Sequence, residues 1–293
     1  MDFIRPSTWD EALAVKAERP DAVPVCGGTD VMVEINFGVR RPPALLDLTA
    51  LPGLDGWSEL PDGRLRVGAG LPYTRLIDEL GGRLPGLAQA SRTVGSPQIR
   101  NRGTVGGNLG SASPAGDAHP PLLAADAVVE VHSAARGVRE IPVREFYLGP
   151  KRSALAPDEL IAAVVVAPAT GPQYFSKVGT RNAMVIAVCS FCLALHPDRR
   201  TVGTGIGSAA PTPLRAIEAE EFLAAELDWD AAGDAEPPPA LAARFGELVS
   251  SAASPIDDVR GTAAYRRHAL AVLARRTLGW AWKDYRREVR RCA

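Results

Sequence analysis

The chain has 293 residues, of which 46% are hydrophobic and 23% charged, with a formal net charge of -1. That length exceeds one typical hydrophobic core and reads as two domains, and the near-neutral charge gives no reason to expect a nucleic acid partner. The longest apolar runs, such as Leu160 to Ala167, fall far short of the roughly 20 residues of a membrane helix. The first residues, MDFIRPSTWDEA, carry no basic segment followed by an apolar one, so the expectation is a cytoplasmic protein.

In chain order, STWDEALAVKAE opens with Thr8 and Glu11 at capping-box spacing and predicts a helix. AVPVC (Ala22 to Cys26) predicts a strand that breaks into GGTD, and EINF, ALLDL and LRVGAG read as further strands. PYTRLIDEL and the segment from Leu84 to Thr93 have helical character, the second stopped by Gly95 and Pro97. After a glycine-rich stretch, PPLLAADAVVEVHSA reads as a short helix running into a strand, and ELIAAVVVAP as a buried strand. A second unit opens near Gly171 and Pro172. YFSKVG, AMVIAVCSFCLALH and TVGTGIGSA there have the pattern of an antiparallel meander. The remainder predicts helices, with a polar break at DAAGDAEPPPA and a basic end, KDYRREVRR.

The usual site motifs are weak. Cys189 and Cys192 form the chain's one CxxC, but it lies in an apolar strand rather than at a turn, so both read as small core residues. No iron-sulfur ligand set is visible, and His119, His132, His196 and His268 lack metal-ligand spacing. There is no GxxxxGK[ST] and no GxSxG. GTGIGS (Gly203 to Ser208) lacks the βαβ context of a dinucleotide fold and reads as strand and bend.

Two stretches instead carry unusual amounts of bare backbone: CGGTD (Cys26 to Asp30) and GTVGGN (Gly103 to Asn108). Glycine lets a ligand approach main-chain amides closely, and a diphosphate gains most from that. Thr29 and Thr104 add hydroxyls. Either stretch alone reads equally as a tight turn, but the two together point to a nucleotide cofactor.

QIRNRGTVGGNLGSASPAGDAHPPLLAADA closely resembles the FAD-binding signature of the molybdenum hydroxylase family, in the flavoprotein (medium) subunits of xanthine dehydrogenase and carbon monoxide dehydrogenase. CGGTDVMVEIN, FSKVGTRNAMVIAV and PIDDVRGTAAYRRHAL resemble further segments of that family in the same order. The resemblance implies an α+β fold: a vanillyl-alcohol-oxidase-like (PCMH-type) two-lobed FAD-binding domain over residues 1–170, then a smaller domain over 171–288 with an antiparallel sheet and helices. It maps one diphosphate loop onto Val25, Cys26, Gly27, Gly28, Thr29, Asp30 and Val31, and a second onto Thr104, Gly106, Gly107 and Asn108. Ser111, Gly116 and Asp117 match further cofactor contacts, while Ile161 and Lys177 match positions near the flavin ring.

By chemistry, Lys177 suits either a cation beside the anionic reduced flavin or a surface lysine. Asp117 suits either a ribose or ribityl hydroxyl or the cap of its own turn. Arg100 and Arg102 receive no catalytic role. Cys26, Met184 and Val185 depart from many relatives; the last two stand where several carry acidic residues.

The implied function is a noncovalent FAD-binding electron-transfer subunit of a molybdenum hydroxylase, most like xanthine dehydrogenase. Its partners would be a large molybdopterin subunit and a small subunit with two [2Fe-2S] clusters, in a dimer of heterotrimers, with NAD or another electron acceptor. A free-standing flavin oxidoreductase of the same fold is the alternative.

Overall fold

The computed structural model describes residues 1–230 and 236–292, with side chains described as far as residue 287. The centre of the expected polar break, 231–235, and the side chains at the end of the basic segment lie outside the described residues. The chain divides into two compact units that do not follow sequence order. One comprises Met1–Asp78, Gly95–Ser113 and Ala127–Ala167, and the other Glu79–Val94, Pro114–Asp126 and the chain from Pro168 onward.

The first unit begins with strand Asp2–Ile4 and helix Trp9–Glu18. Thr8 Oγ1 accepts from Glu11 N at 3.2 Å, while the Glu11 carboxylate reaches back to Ser7 N at 2.7 Å, so the expected cap is present. Asp2–Ile4, Ala44–Asp47 and Val23–Val25 form a parallel sheet in that order. A five-stranded antiparallel sheet follows in the order Trp57–Glu59, Leu65–Gly68, Leu160–Val166, Val128–Ser133 and Gly137–Pro142. Its central strand, LIAAVVV, is buried at every position, as its unbroken apolar run required.

EINF is not a strand. Val31–Asn36 forms a short helix, with Met32 N donating to Gly28 O at 3.1 Å. The alternation of Val31, Val33 and Ile35 imitates a half-buried strand, yet this helix buries no residue. Only Val31, Glu34 and Ile35 are even partly buried, so its apolar face is weak.

The second unit is built on the expected meander, Gln173–Val178, Cys189–His196 and Thr201–Gly207. The middle strand starts later than its apolar run suggested. Residues before Cys189 lie outside it, and Met184 adopts φ 49°. Helices Pro85–Arg92 and His119–Ala124 cover one face of the sheet, and Ile217–Glu226, Pro239–Ala252 and Ala263–Cys292 form the other layer.

Alternation along the middle strand sends Cys189, Phe191, Leu193 and Leu195 into the core with Leu223, Phe245 and Leu270. Cys192 and Ala194 pack with Ala90 and Ala124 on the opposite face. The two cysteines thus point apart, and burial pushes the Cys189 thiol up to about 12 and that of Cys192 higher still. They are core residues. A Cβ on Gly203 or Gly205 would lie 1.9 or 2.0 Å from the carbonyl oxygens of Ala124 and Pro120. GTGIGS is accordingly a strand bared so that a helix can pack closely. Among the described residues no helix is long and apolar enough to cross a membrane.

Candidate functional site

In the first unit the parallel strand Val23–Val25 runs directly into Cys26–Asp30, and this loop crosses the second glycine-rich stretch. A Cβ on Gly27 would lie 1.9 Å from Arg102 O, so only glycine permits that crossing. The second stretch enters helix Val105–Ser111 through Thr104, whose Oγ1 accepts from Gly107 N at 2.9 Å. Gly106 N donates to Ala69 O at 3.1 Å, which ties the helix start to the end of a sheet strand. Gly107 differs from these glycines. A Cβ there would meet only Thr104 Oγ1, at 3.1 Å, and would otherwise face open space.

That space is a cavity of about 510 Å³, within the roughly 300–1,000 Å³ of small-molecule sites. Val25, Cys26, Gly27, Gly28, Thr29, Asp30, Val31, Thr104, Gly106, Gly107, Asn108, Ser111 and Ile161 all line it. Ile161 reaches it from the buried central strand. A register shift between Ile161 and Ala163 breaks the alternation there, so the adjacent Leu160 and Ile161 both face the cavity. Leu48, Leu54 and Leu155 add apolar surface. Burial pushes the Cys26 thiol up, partly offset by a hydrogen bond with Thr104, so it is a poor nucleophile.

Sequence reasoning missed the charged rim. Glu34, Arg40, Lys151 and Glu159 also line the cavity. The Glu34 carboxylate accepts from Lys151 Nζ and lies 3.8 Å from Arg40, while Asp30 accepts from Ser111 Oγ. Lys151 sits between strands Tyr147–Gly149 and Arg152–Ser153, more than a hundred residues from Glu34, and no local pattern marks it.

The remaining predicted positions, Gly116, Asp117 and Lys177, belong to the second unit. Lys177 Nζ donates to Asp117 Oδ2 and, at 3.1 Å, to Thr93 O, while Thr93 Oγ1 lies 3.0 Å from the same carboxylate oxygen. Both charged side chains are 8% exposed. Lys177 is therefore not a surface lysine, and its charge is matched by Asp117. Burial pushes the Asp117 carboxyl up from its ordinary value and the neighbouring ammonium opposes that. Asp117 Oδ1 is buried with no hydrogen-bond partner. Gly116 O accepts from His119 N at 3.3 Å, at the entry to the helix His119–Ala124.

The first unit's cavity fits an FAD on three counts. Gly107 leaves room for a ligand against the main chain. Asn108 Oδ1 is buried without a partner, an unmet hydrogen-bonding group in the cavity wall. The leucines and Ile161 suit a flat ring system.

Comparison with known proteins agrees. A family profile described as the FAD binding domain in molybdopterin dehydrogenase matches residues 1–169, and one described as the CO dehydrogenase flavoprotein C-terminal domain matches residues 174–281. A xanthine dehydrogenase FAD-binding subunit from Escherichia coli O157:H7 is 33% identical over 228 residues, covering 75% of this chain and 77% of the relative. The nicotinate dehydrogenase FAD-subunit of Eubacterium barkeri is 31% identical over 235 residues, covering 76% and 79%. Among solved structures, a chain of a Cu,Mo-CO dehydrogenase superposes with a TM-score of 0.86 at 26% identity, covering 98% of both chains. The chain belongs to the FAD-binding subunits of the molybdenum hydroxylases, and is part of an oxidoreductase.

Proposed function

We propose that this chain is the electron-transfer subunit of a hydroxylase most like xanthine dehydrogenase, with a PCMH-type FAD domain in residues 1–170. Molybdopterin and two [2Fe-2S] clusters reside on large and small partner subunits in a dimer of heterotrimers. Bound FAD supplies the chemistry of accepting electrons from those clusters and delivering them to NAD or another acceptor. The protein's own task is to hold and tune the cofactor. The two glycine stretches would offer main chain to a diphosphate, Asn108 would supply a side-chain partner and Ile161 apolar surface for a ring. The Asp117–Lys177 pair keeps the second unit's matching positions buried and electrically balanced. The observation that carries this reading is the open face of Gly107 beside the unpartnered Asn108 Oδ1.

The attachment is noncovalent, since the cavity's one thiol, Cys26, is suppressed by burial. Acid precipitation should leave a colourless pellet, and a yellow one overturns this point. Gly107→Val should remove flavin while the protein stays folded, because the added side chain enters the cavity; full flavin occupancy removes this cavity from the reading. An anaerobic titration tests the subunit role: an organic hydroxylase substrate should bleach the flavin only when the partner subunits are present. Rapid bleaching in this chain alone would favour the free-standing flavin oxidoreductase.

A further inference from the structure

The wall of the cavity formed by Val31–Asn36 is attached differently from the rest. None of its residues is buried, and Met32, Val33 and the following Phe37 are 38%, 49% and 81% exposed. With only Val31 and Ile35 of its apolar residues partly buried, the helix has a weak apolar face to hold it in place. Its tethers are polar instead. Asp30 accepts from Ser111 on the neighbouring helix, and Glu34 accepts from Lys151 on a hairpin that also borders the cavity. The segment is bracketed by Gly28 at φ 70° and Gly38 at φ 69°, two positions where the chain turns through conformations that favour glycine. The hairpin that carries Lys151 has a backbone tie to a buried position. Lys151 N donates to Ala112 O at 3.1 Å, and Ala112 closes the helix that begins at the second glycine stretch.

Glu34 and Lys151 therefore join this weakly packed segment to a hairpin tied through Ala112 to the end of the capped helix, and both line the same cavity. The lysine side chain is 57% exposed and the glutamate 19%, which sets the pair at the rim, where solvent ions reach it. We propose that Gly28 to Gly38 is a flap over the FAD cavity, that the Glu34–Lys151 ion pair is its latch, and that this pair sets the rate at which FAD leaves. The proposal rests on the reading that FAD occupies this cavity. In it, the two glycines absorb the change in backbone angles on opening, and the polar tethers are what must break.

The test follows FAD release from the full-length flavoprotein after dilution, by the rise in flavin fluorescence, at low and high salt. In the wild type, salt should accelerate release. Lys151→Met should release FAD about two- to fivefold faster at low salt, the scale of one exposed ion pair, with the salt dependence largely gone. Glu34→Gln should do the same, and the charge-reversed pair Glu34→Lys with Lys151→Glu should restore slow, salt-sensitive release, which also guards against a single variant that folds poorly. Wild-type rates in both single variants overturn the latch. Slower release from Glu34→Gln also overturns it, because it would mean that freeing Lys151 strengthens a direct contact with the cofactor. Failure of the underlying reading has a separate signature, full FAD occupancy in Gly107→Val.

Discussion

Each glycine-rich stretch leads into a short helix, and the two helices are held in different ways. Val105–Ser111 starts from a threonine that caps it and buries Val105, Gly106 and Leu109. Val31–Asn36 starts from Asp30, whose side chain makes no cap and turns to Ser111 instead, and it has no fully buried residue. Burying one leucine contributes about 1.5–3 kcal/mol, whereas an exposed ion pair contributes about 0–1 kcal/mol. One side of the cavity is thus fixed by the core and the other by contacts that solvent and salt can compete for. Glycine lets the chain cross Arg102 in the first stretch and leaves an open face at Gly107 in the second, but packing decides how firmly each following helix is held.

The largest expected effect lies on the firm side. Leu109 is fully buried, and Leu109→Ala should cost about 2–5 kcal/mol in urea unfolding, with flavin binding weakened as the helix start loses its support. A cost below about 1 kcal/mol would remove the contrast. Next comes the cap. Thr104→Ala deprives Gly107 N of its acceptor and should cost about 1 kcal/mol, read from the shift of the same transition.

Cys26 offers a pH test of the loop that precedes the exposed helix. Burial raises its pKa above the ordinary thiol value, so the folded state favours the neutral thiol. Its contribution to stability is present below the unfolded pKa of about 8.5 and is lost as pH rises through the higher folded value. Alkylation of Cys26 in the native protein should accordingly lag behind that of the unfolded chain at pH 8 to 9, and lag further when flavin is bound. Equal rates would show that the loop is open to solvent. The smallest effect is expected at Val33, half-exposed on the flap; Val33→Ala should change unfolding free energy by no more than about 0.5 kcal/mol. A cost comparable to that of Leu109→Ala would mean that the flap packs against something in solution.

Much of this was legible locally. The apolar runs LIAAVVVA and AMVIAVCSFCLALH read as buried strands; both strands are buried throughout, although the second covers only Cys189–His196 of its run. Thr8 and Glu11 marked a helix start that the hydrogen bonds confirm. The error at EINF has a local cause too, since Val31, Val33 and Ile35 alternate as a strand does while the chain winds into a helix that has no core to face. The charged rim had no local cause to find. Glu34 and Lys151 are 117 residues apart and meet only because a hairpin and a short helix border the same cavity.

The sequence by itself determined the family, through the resemblance of its quoted segments, and the loops that shape the cavity, because spacing of glycine and threonine along the chain dictates where backbone can be bared and helices capped. Tertiary structure alone decided that Gly27 crosses Arg102, that Gly107 faces open space, and that Lys177 is buried against Asp117. It also decided the compact units, in which Glu79–Val94 and Pro114–Asp126 pack with the chain beyond Pro168 rather than with their neighbours in sequence. The physical reason is common to all of these. Each depends on which distant backbone or side chain fills the space beside a residue, and local propensity carries no information about that.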